Sequence, residues 1–310
     1  MNILKASMAL QWIGRMIHDF GNSIKGKWEE GFVGEAKEEG EIKWVIDYVI
    51  DTKLKDFFSE ASKKLDFSAN VLLEEQEKSF SVVHGVVKDQ LLDSETTFFL
   101  DPICYSTDYS RWLLVKNSPF PTRAFFIGGW TDIPYQKATL VDIKVGIHYS
   151  LGTGEYILGI MQGQKNFLTL MNGTVYELPD FKLIKKPIIA FPCYSNAGYD
   201  IIGALMKKLV RKYKVFMGTG GTALDQELVF EGRIDGMADL RALVSKNKGA
   251  SLKPHDIAAV YPISMGLNLR ISKGTGDPID ARIFEEEPID IVLARNEIFD
   301  QLIKDIKHLV

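Results

Sequence analysis

The sequence has few of the residues that build disulfide scaffolds, membrane spans or nucleic-acid surfaces. Its two cysteines, Cys104 and Cys193, are too few for a disulfide framework, so we expect a reducing, cytoplasmic setting. No apolar run approaches the roughly 18 residues of a membrane-spanning helix, and we expect no membrane partner. Acidic residues outnumber basic ones, 41 against 37, whereas nucleic-acid-binding domains carry a basic excess, so we expect no nucleic-acid partner.

The residues that are present are typical of a globular protein with a large core. Hydrophobic residues make up 46% of the 310 positions, which is close to the average for folded proteins. Apolar residues at helical spacing predict helices from Met8 and again from Ile42. Runs rich in β-branched and aromatic residues then predict an antiparallel meander up to Leu178, with a hairpin turn at Asn172-Gly173.

The pattern changes near residue 185, after a connection rich in lysine and proline. Beyond it, strand-like runs alternate with helical patterns over 198–213, 222–231, 254–265 and 296–308, which is typical of an α/β layer. We therefore predict two subdomains. Residues 1–184 would form an α+β unit with the antiparallel sheet, and residues 185–310 would form an α/β unit.

Acidic residues follow or end several of these predicted elements. Glu74 and Glu75 come after the apolar run NVLL, Asp101 ends the strand-like run FFL, and Asp256 lies near the start of a predicted helix. Carboxylates that converge at a sheet edge would bind a hard cation such as Mg²⁺. Each also has a simpler interpretation. Glu74 and Glu75 would be a solvated pair, Asp101 a turn residue, and Asp256 an acid in the first turn of a helix that complements the helix dipole.

Several segments together resemble one known family. The segment FFLDPICYSTDY resembles the DPIDGSTN motif of the inositol monophosphatase superfamily, which also contains archaeal-type fructose-1,6-bisphosphatases. LLEEQ, GTGGTALDQELVFEGRIDGMADLR, PHDIAAVYPI and the closing strand and helix are similar to further motifs of that superfamily, in the same order. The resemblance covers essentially the whole chain and implies an α/β (α+β) fold, the layered αβαβα sugar-phosphatase fold.

The resemblance also implies a metal site and a mechanism. One or more Mg²⁺ ions would be held by Glu74, Asp101, the backbone carbonyl of Ile103 and Asp256. Glu74 and Ser106 would be the catalytic residues that orient the attacking water. Asp51 best matches an outer metal-site aspartate of the family, with Asp47 as the alternative.

The implied ligand is a phosphorylated small molecule. The loop residues Cys104, Tyr105 and Ser106 would bind its phosphate at a helix N-terminus. Asp239 occupies the position of an acid that faces the sugar hydroxyls, with Arg241 beside it as a charge partner. The resemblance further implies a homodimer.

The sequence departs from the family pattern in the same loop. Cys104 stands where the family has a metal-bridging aspartate, and a neutral thiol lacks the hard oxygen that Mg²⁺ selects. Tyr105 replaces a glycine, Asp108 an asparagine and His255 a tryptophan. Zinc bound by Cys104 and His255 is another interpretation, but two ligands are too few for a zinc site.

Two functions follow. The first is Mg²⁺-dependent hydrolysis of a sugar or inositol phosphate monoester, at a site that Cys104 and Tyr105 impair. The alternative is a non-catalytic pseudophosphatase of the same fold, which acts as a binding or assembly protein.

Overall fold

The structure is a computed structural model, which describes most of the chain. The described residues are 1–26, 35–36, 42–43, 45–73, 78–94, 96–115, 119–163, 166–180, 186–192, 203, 207–218, 221–244, 252–284 and 287–307. Glu74, Glu75 and Cys193 lie outside the described residues, as does half of the predicted helix over 198–213.

A large sheet occupies the first half of the chain. Within the described residues it has nine strands in the order β11-β10-β9-β8-β7-β6-β3-β4-β5. Neighbouring strands are antiparallel, except that β3 and β6 run parallel. The strands are β3 (Ser68–Leu73), β4 (Phe80–Val83), β5 (Val86–Lys88), β6 (Thr97–Cys104), β7 (Phe125–Thr131), β8 (Val145–Ser150), β9 (Tyr156–Gln162), β10 (Asn166–Met171) and β11 (Thr174–Val175). Ahead of them, β1 (Glu35–Ala36) and β2 (Ile42–Lys43) form a separate antiparallel pair.

Two long helices, α1 (Ile3–Ile24) and α2 (Val45–Leu65), cover one face of this sheet. One face of α1 carries apolar residues at helical spacing that are fully buried, among them Leu10, Ile13 and Ile17. Gly14 lets α1 approach β8 closely, because a Cβ at this position would lie 2.7 Å from the ring of Tyr149. These helices and the sheet share one hydrophobic core.

A smaller sheet forms in the second half of the chain. In the described part it has five strands in the order β13-β12-β14-β16-β15. Strand β12 runs parallel to β13 and β14, and β16 runs antiparallel to both of its neighbours. The strands are β12 (Ile188–Phe191), β13 (Lys214–Met217), β14 (Gly236–Asp239), β15 (Leu269–Ser272) and β16 (Ile291–Arg295).

The remaining helices complete the layers. They are α3 (Ser106–Leu114), α4 (Thr222–Phe230), α5 (Arg241–Val244), α6 (Val260–Gly266) and α7 (Asn296–Lys307), with 3-10 turns at Leu140–Asp142 and Pro254–Ile257. A second core joins α4 and α6 to both sheets, and a third joins α7 to the smaller sheet. The layers follow one another in the order helix, sheet, helix, sheet, helix. The predicted αβαβα arrangement is therefore confirmed. None of the helices among the described residues is long and apolar enough to span a membrane.

Two local predictions had different outcomes. The Asn172-Gly173 hairpin is confirmed, since both residues have positive φ, 50° and 82°, as a two-residue turn between β10 and β11 requires. The single helix predicted over 254–265 is wrong, because the chain forms a 3-10 turn and then starts α6 at Val260. This restart places Pro262 in the first turn of α6, where its missing N–H costs no hydrogen bond.

Candidate active site

The loop after β6 contains most of the predicted site residues. Asp101 is 4% exposed near the end of the strand, and the N–H of Ile103 donates a hydrogen bond to its Oδ1 (3.2 Å). The pairing of β6 with β7 shifts register between Asp101 and Cys104. Such an irregularity turns the chain locally and redirects side chains, and it is common beside binding sites.

Tyr105 joins β6 to α3 in a conformation that favours glycine. Its φ and ψ are 71° and 46°, in the left-handed region, where a residue with a Cβ loses roughly 1–2 kcal/mol. Tyr105 is the N-cap of α3 but provides no side-chain cap, and Ser106 is the first helical residue. The uncapped first turn of α3 leaves backbone N–H groups that suit an anion such as phosphate.

The structure brings Asp256 toward Asp101. The 3-10 turn Pro254–Ile257, which contains Asp256, packs against β6 and β7. One oxygen of Asp256 accepts a hydrogen bond from the N–H of Lys253 (2.8 Å), and the other lies 3.4 Å from Nε2 of His255. Two of the predicted metal ligands therefore lie on elements that touch.

Glu74 follows the neighbouring strand. Strand β3 ends at Leu73, and Leu73 pairs with Leu100, the residue before Asp101. Glu74 itself is outside the described residues. Its role as metal ligand and catalytic residue stays a prediction.

The other two predicted acids are paired with cations. Nζ of Lys78 lies 2.7 Å from Oδ2 of Asp51, and both side chains are largely buried. Asp239 is fully buried, and Arg241 donates to it through Nε (2.8 Å, to Oδ1) and Nη2 (2.6 Å, to Oδ2). The sequence predicts Arg241 as a partner of Asp239, but it does not predict Lys78, which is 27 positions from Asp51.

The donor set fits one Mg²⁺ ion better than several. Asp101, Asp256 and the carbonyl of Ile103 offer hard oxygens, and Mg²⁺ is often bound by one or two carboxylates together with substrate phosphate and water. The half-buried thiol of Cys104 offers a soft sulfur instead. Among the described residues, no three carboxylate, imidazole or thiol side chains cluster closely enough to hold a metal ion.

Asp108, another departure from the family pattern, has a structural role. Its Oδ2 accepts hydrogen bonds from the hydroxyl of Thr122 (2.8 Å) and from the N–H of Arg123 (2.6 Å). These two residues lead into β7. Through these hydrogen bonds Asp108 connects α3 to the segment that leads into β7.

Two titratable residues with strongly shifted pKa values, His148 and Glu227, were not identified from the sequence. His148 lies on β8 in the same cross-strand row as Asp101, since Ile127 of β7 pairs with both residues. Burial lowers the pKa of His148 to about 3, and its Nε2 has no partner among the described residues. On α4, burial raises the pKa of Glu227 to about 8, with Glu231 adding to the rise and Arg233 opposing it. Only the three-dimensional packing reveals either residue.

The comparisons with known proteins define the fold. No protein-family model and no curated protein matches the sequence. Solved structures of inositol monophosphatases share this fold over nearly the whole chain. The extragenic suppressor protein suhB from Bartonella henselae is 17% identical, with 99% of this chain and 98% of that chain covered and a TM-score of 0.68.

Two further structures are similar. The IMPase of Thermotoga maritima is 14% identical, with coverage of 98% and 96% and a TM-score of 0.65. An IMPase/NADP phosphatase complexed with Mg²⁺ and phosphate is 16% identical, with coverage of 96% and 95% and a TM-score of 0.64. The chain has the fold of these phosphatases, as the sequence motifs predicted.

Proposed function

We propose that this protein is an inositol monophosphatase-like enzyme that hydrolyses a sugar or inositol phosphate monoester with Mg²⁺, at a rate reduced by its altered loop. The contact between the 3-10 turn of Asp256 and the strand of Asp101 carries this proposal. It supports a site in which two hard carboxylates would share one cation, on a fold that an IMPase/NADP phosphatase complexed with Mg²⁺ and phosphate also has.

Each residue of the loop has a defined part in this proposal. Asp101, Asp256 and the carbonyl of Ile103 would hold the cation. The backbone N–H groups at the start of α3 would bind the phosphate oxygens. Ser106, together with Glu74, would orient the water that attacks phosphorus. When bound, Mg²⁺ supplies positive charge that stabilises the phosphoryl oxygens and the leaving group.

Cys104 is the reason to expect a reduced rate. A thiol at the position of a bridging carboxylate removes one negative charge and one hard ligand. We infer that a second Mg²⁺ would bind weakly or not at all, and that the protein works with a single ion.

A second candidate function is a non-catalytic one, a pseudophosphatase that binds a phosphorylated ligand or assembles with other proteins. The ion pairs of Asp51 with Lys78 and of Asp239 with Arg241 favour it. In both pairs a protein cation holds a carboxylate that the family would use for metal or substrate.

Three accompanying proposals rest on the same resemblance or on the sequence. They are a homodimer, a cytoplasmic location and a division into subdomains 1–184 and 185–310. Gel filtration with light scattering tests the first. Limited proteolysis near residue 185 tests the third.

Phosphate release from a panel of phosphomonoesters, with and without Mg²⁺, tests the proposed activity. We expect Mg²⁺-dependent release by the wild type and at least a hundredfold lower rate for Asp256→Asn, since the amide lacks the negative charge that binds the cation. The amide oxygen of asparagine still accepts the hydrogen bond from Lys253, so the turn is preserved.

Asp93→Asn is the matched control, because Asp93 is exposed on the surface. It should leave the rate unchanged. Wild-type protein that binds phosphate with Mg²⁺ but releases none from any ester would instead support the non-catalytic function.

A further inference from the structure

The ring of Tyr105 covers the start of helix α4. Gly221 is the N-cap of α4, and a Cβ at this position would lie 3.3 Å from Cγ and Cδ2 of Tyr105 and 3.6 Å from Cδ1. A Cβ that approached the ring along its edge would lie at very different distances from these three adjacent ring atoms. The near-equal distances show that Gly221 faces the flat side of the ring.

The backbone of Tyr105 holds the ring in this place. Its left-handed conformation, at φ 71°, sets the direction of the Cα–Cβ bond between the end of β6 and the first turn of α3. A left-handed residue with a side chain is uncommon, and such positions concentrate at binding sites. Tyr105 thereby links the loop that would bind phosphate to the N-terminus of α4.

The residues next to Gly221 form the group that would face the hydroxyls of a polyol. Thr222, the first residue of α4, donates from Oγ1 to Asp239 (3.2 Å), and Nη2 of Arg241 donates to the same hydroxyl oxygen (3.0 Å). All three side chains are at most 6% exposed. The ring on Gly221 therefore lies beside a polar group that solvent hardly reaches.

We propose that Tyr105 is a specificity-determining residue that closes the polyol subsite at the start of α4. The site then favours monoesters of small open-chain sugars and polyols, of about three carbons, over those of six-membered rings such as inositol. On this proposal a six-membered polyol would need the space that the ring fills, whereas a smaller alcohol would bind without displacing the ring. This inference rests on the proposed function, since it concerns the alcohol half of the same substrate.

Isothermal titration with Mg²⁺ present tests the inference on four proteins. They are the wild type, Tyr105→Gly, Tyr105→Asn and Tyr105→Phe, each titrated with glycerol 2-phosphate, inositol 1-phosphate and inorganic phosphate. Glycine and asparagine both tolerate the left-handed conformation, so two ring-less variants are available if one folds poorly.

We expect the wild type to bind glycerol 2-phosphate at least about tenfold more tightly than inositol 1-phosphate, a typical effect of steric fit. Tyr105→Gly and Tyr105→Asn should reduce this preference by about tenfold. Tyr105→Phe should keep it, because the ring and not the hydroxyl fills the subsite. The preference is the ratio of the affinities for the two esters, so a change in phosphate binding that is common to both esters leaves it unaffected.

The titrations distinguish a failure of the inference about Tyr105 from a failure of the proposed function. If all four proteins bind phosphate with the same preference between the two esters, or if Tyr105→Phe behaves like Tyr105→Gly, the inference is wrong and the proposed function stands. If none of the four binds inorganic phosphate or either ester, both the proposed function and the inference are overturned.

Discussion

Two pairs of carboxylates in this molecule have opposite surroundings. Asp101 accepts a hydrogen bond from the backbone N–H of Ile103, and Asp256 accepts one from the backbone N–H of Lys253. Asp51 and Asp239 are instead held by the cationic groups of Lys78 and Arg241. A backbone N–H bond leaves the full negative charge in place, whereas a bound ammonium or guanidinium compensates it.

This difference bears on which part of the site works. The backbone N–H bonds of the first pair do not compensate its charge, whereas the cations of the second pair do compensate theirs. Under the proposed function, the first pair would hold the cation and the second pair would be fixed by the protein itself. The predictions below test each side of this contrast, from the largest expected effect to the smallest.

Removing the guanidinium beside Asp239 should destabilise the protein most. Arg241→Met leaves a fully buried carboxylate without its bidentate partner, which typically costs about 3–5 kcal/mol. Urea unfolding measures the loss. The double variant Asp239→Asn with Arg241→Met removes both charges and should recover more than half of it. A loss below about 1 kcal/mol for Arg241→Met would contradict the buried pair.

Removing the charge of Asp101 should weaken metal binding. Asp101→Asn keeps an oxygen that can accept the N–H of Ile103, so the loop should hold its shape. We expect Mg²⁺ affinity in the presence of phosphate to fall at least about tenfold, because a carboxylate ligand is lost. Titration calorimetry measures it, with Asp93→Asn as the unchanged control. Equal affinities for the two variants would show that Asp101 binds no metal.

Lys78→Met should have a moderate effect on stability. The pair with Asp51 is largely shielded from solvent, and its loss should cost about 1 kcal/mol. Lys53→Met is a matched control, since Lys53 pairs with Asp56 on the open surface, where such pairs contribute little. Thermal unfolding of both variants distinguishes the two sites. Equal losses for the two variants would mean that Asp51 gains nothing special from Lys78.

Glu227 is a third kind of carboxylate, one whose neighbouring cation does not compensate its burial, and its test is a dependence of stability on pH. Its pKa is raised from 4.5 to about 8, chiefly by burial, so the folded state holds a proton that the unfolded state releases. This contribution to stability is full below about pH 4.5 and falls as the pH rises to about 8. Glu227→Gln should therefore lose less stability than the wild type between pH 5 and pH 8. Parallel urea-unfolding curves for the two proteins across this range would refute the buried, protonated carboxyl.

Local chemistry in the sequence accounts for much of the fold. The Asn172-Gly173 turn and the sheet-forming runs around it depend on short-range preferences, which a single sequence displays directly. The preference for glycine at position 105 is of the same kind, since the structure gives Tyr105 a positive φ. Strand β15 was not predicted, because it is short and follows α6 with a two-residue connection.

Long-range pairing accounts for what the sequence could not provide. Asp51 forms an ion pair with Lys78, and the sequence near either residue does not predict that contact. The burial of His148 and Glu227 likewise depends on how α4 packs against the large sheet. The motifs predict which acids would form the site, and that remains a prediction, whereas the cations that pair with Asp51 and Asp239 are set by the tertiary fold.

The number of Mg²⁺ ions that the site binds tests the central claim most directly. Isothermal titration of Mg²⁺ in the presence of inorganic phosphate would be carried out on the wild type and on Cys104→Asp. The account predicts one ion per chain for the wild type and a second for Cys104→Asp, which restores a hard carboxylate to the loop. No binding by the wild type, or the same number of ions for both proteins, would contradict it.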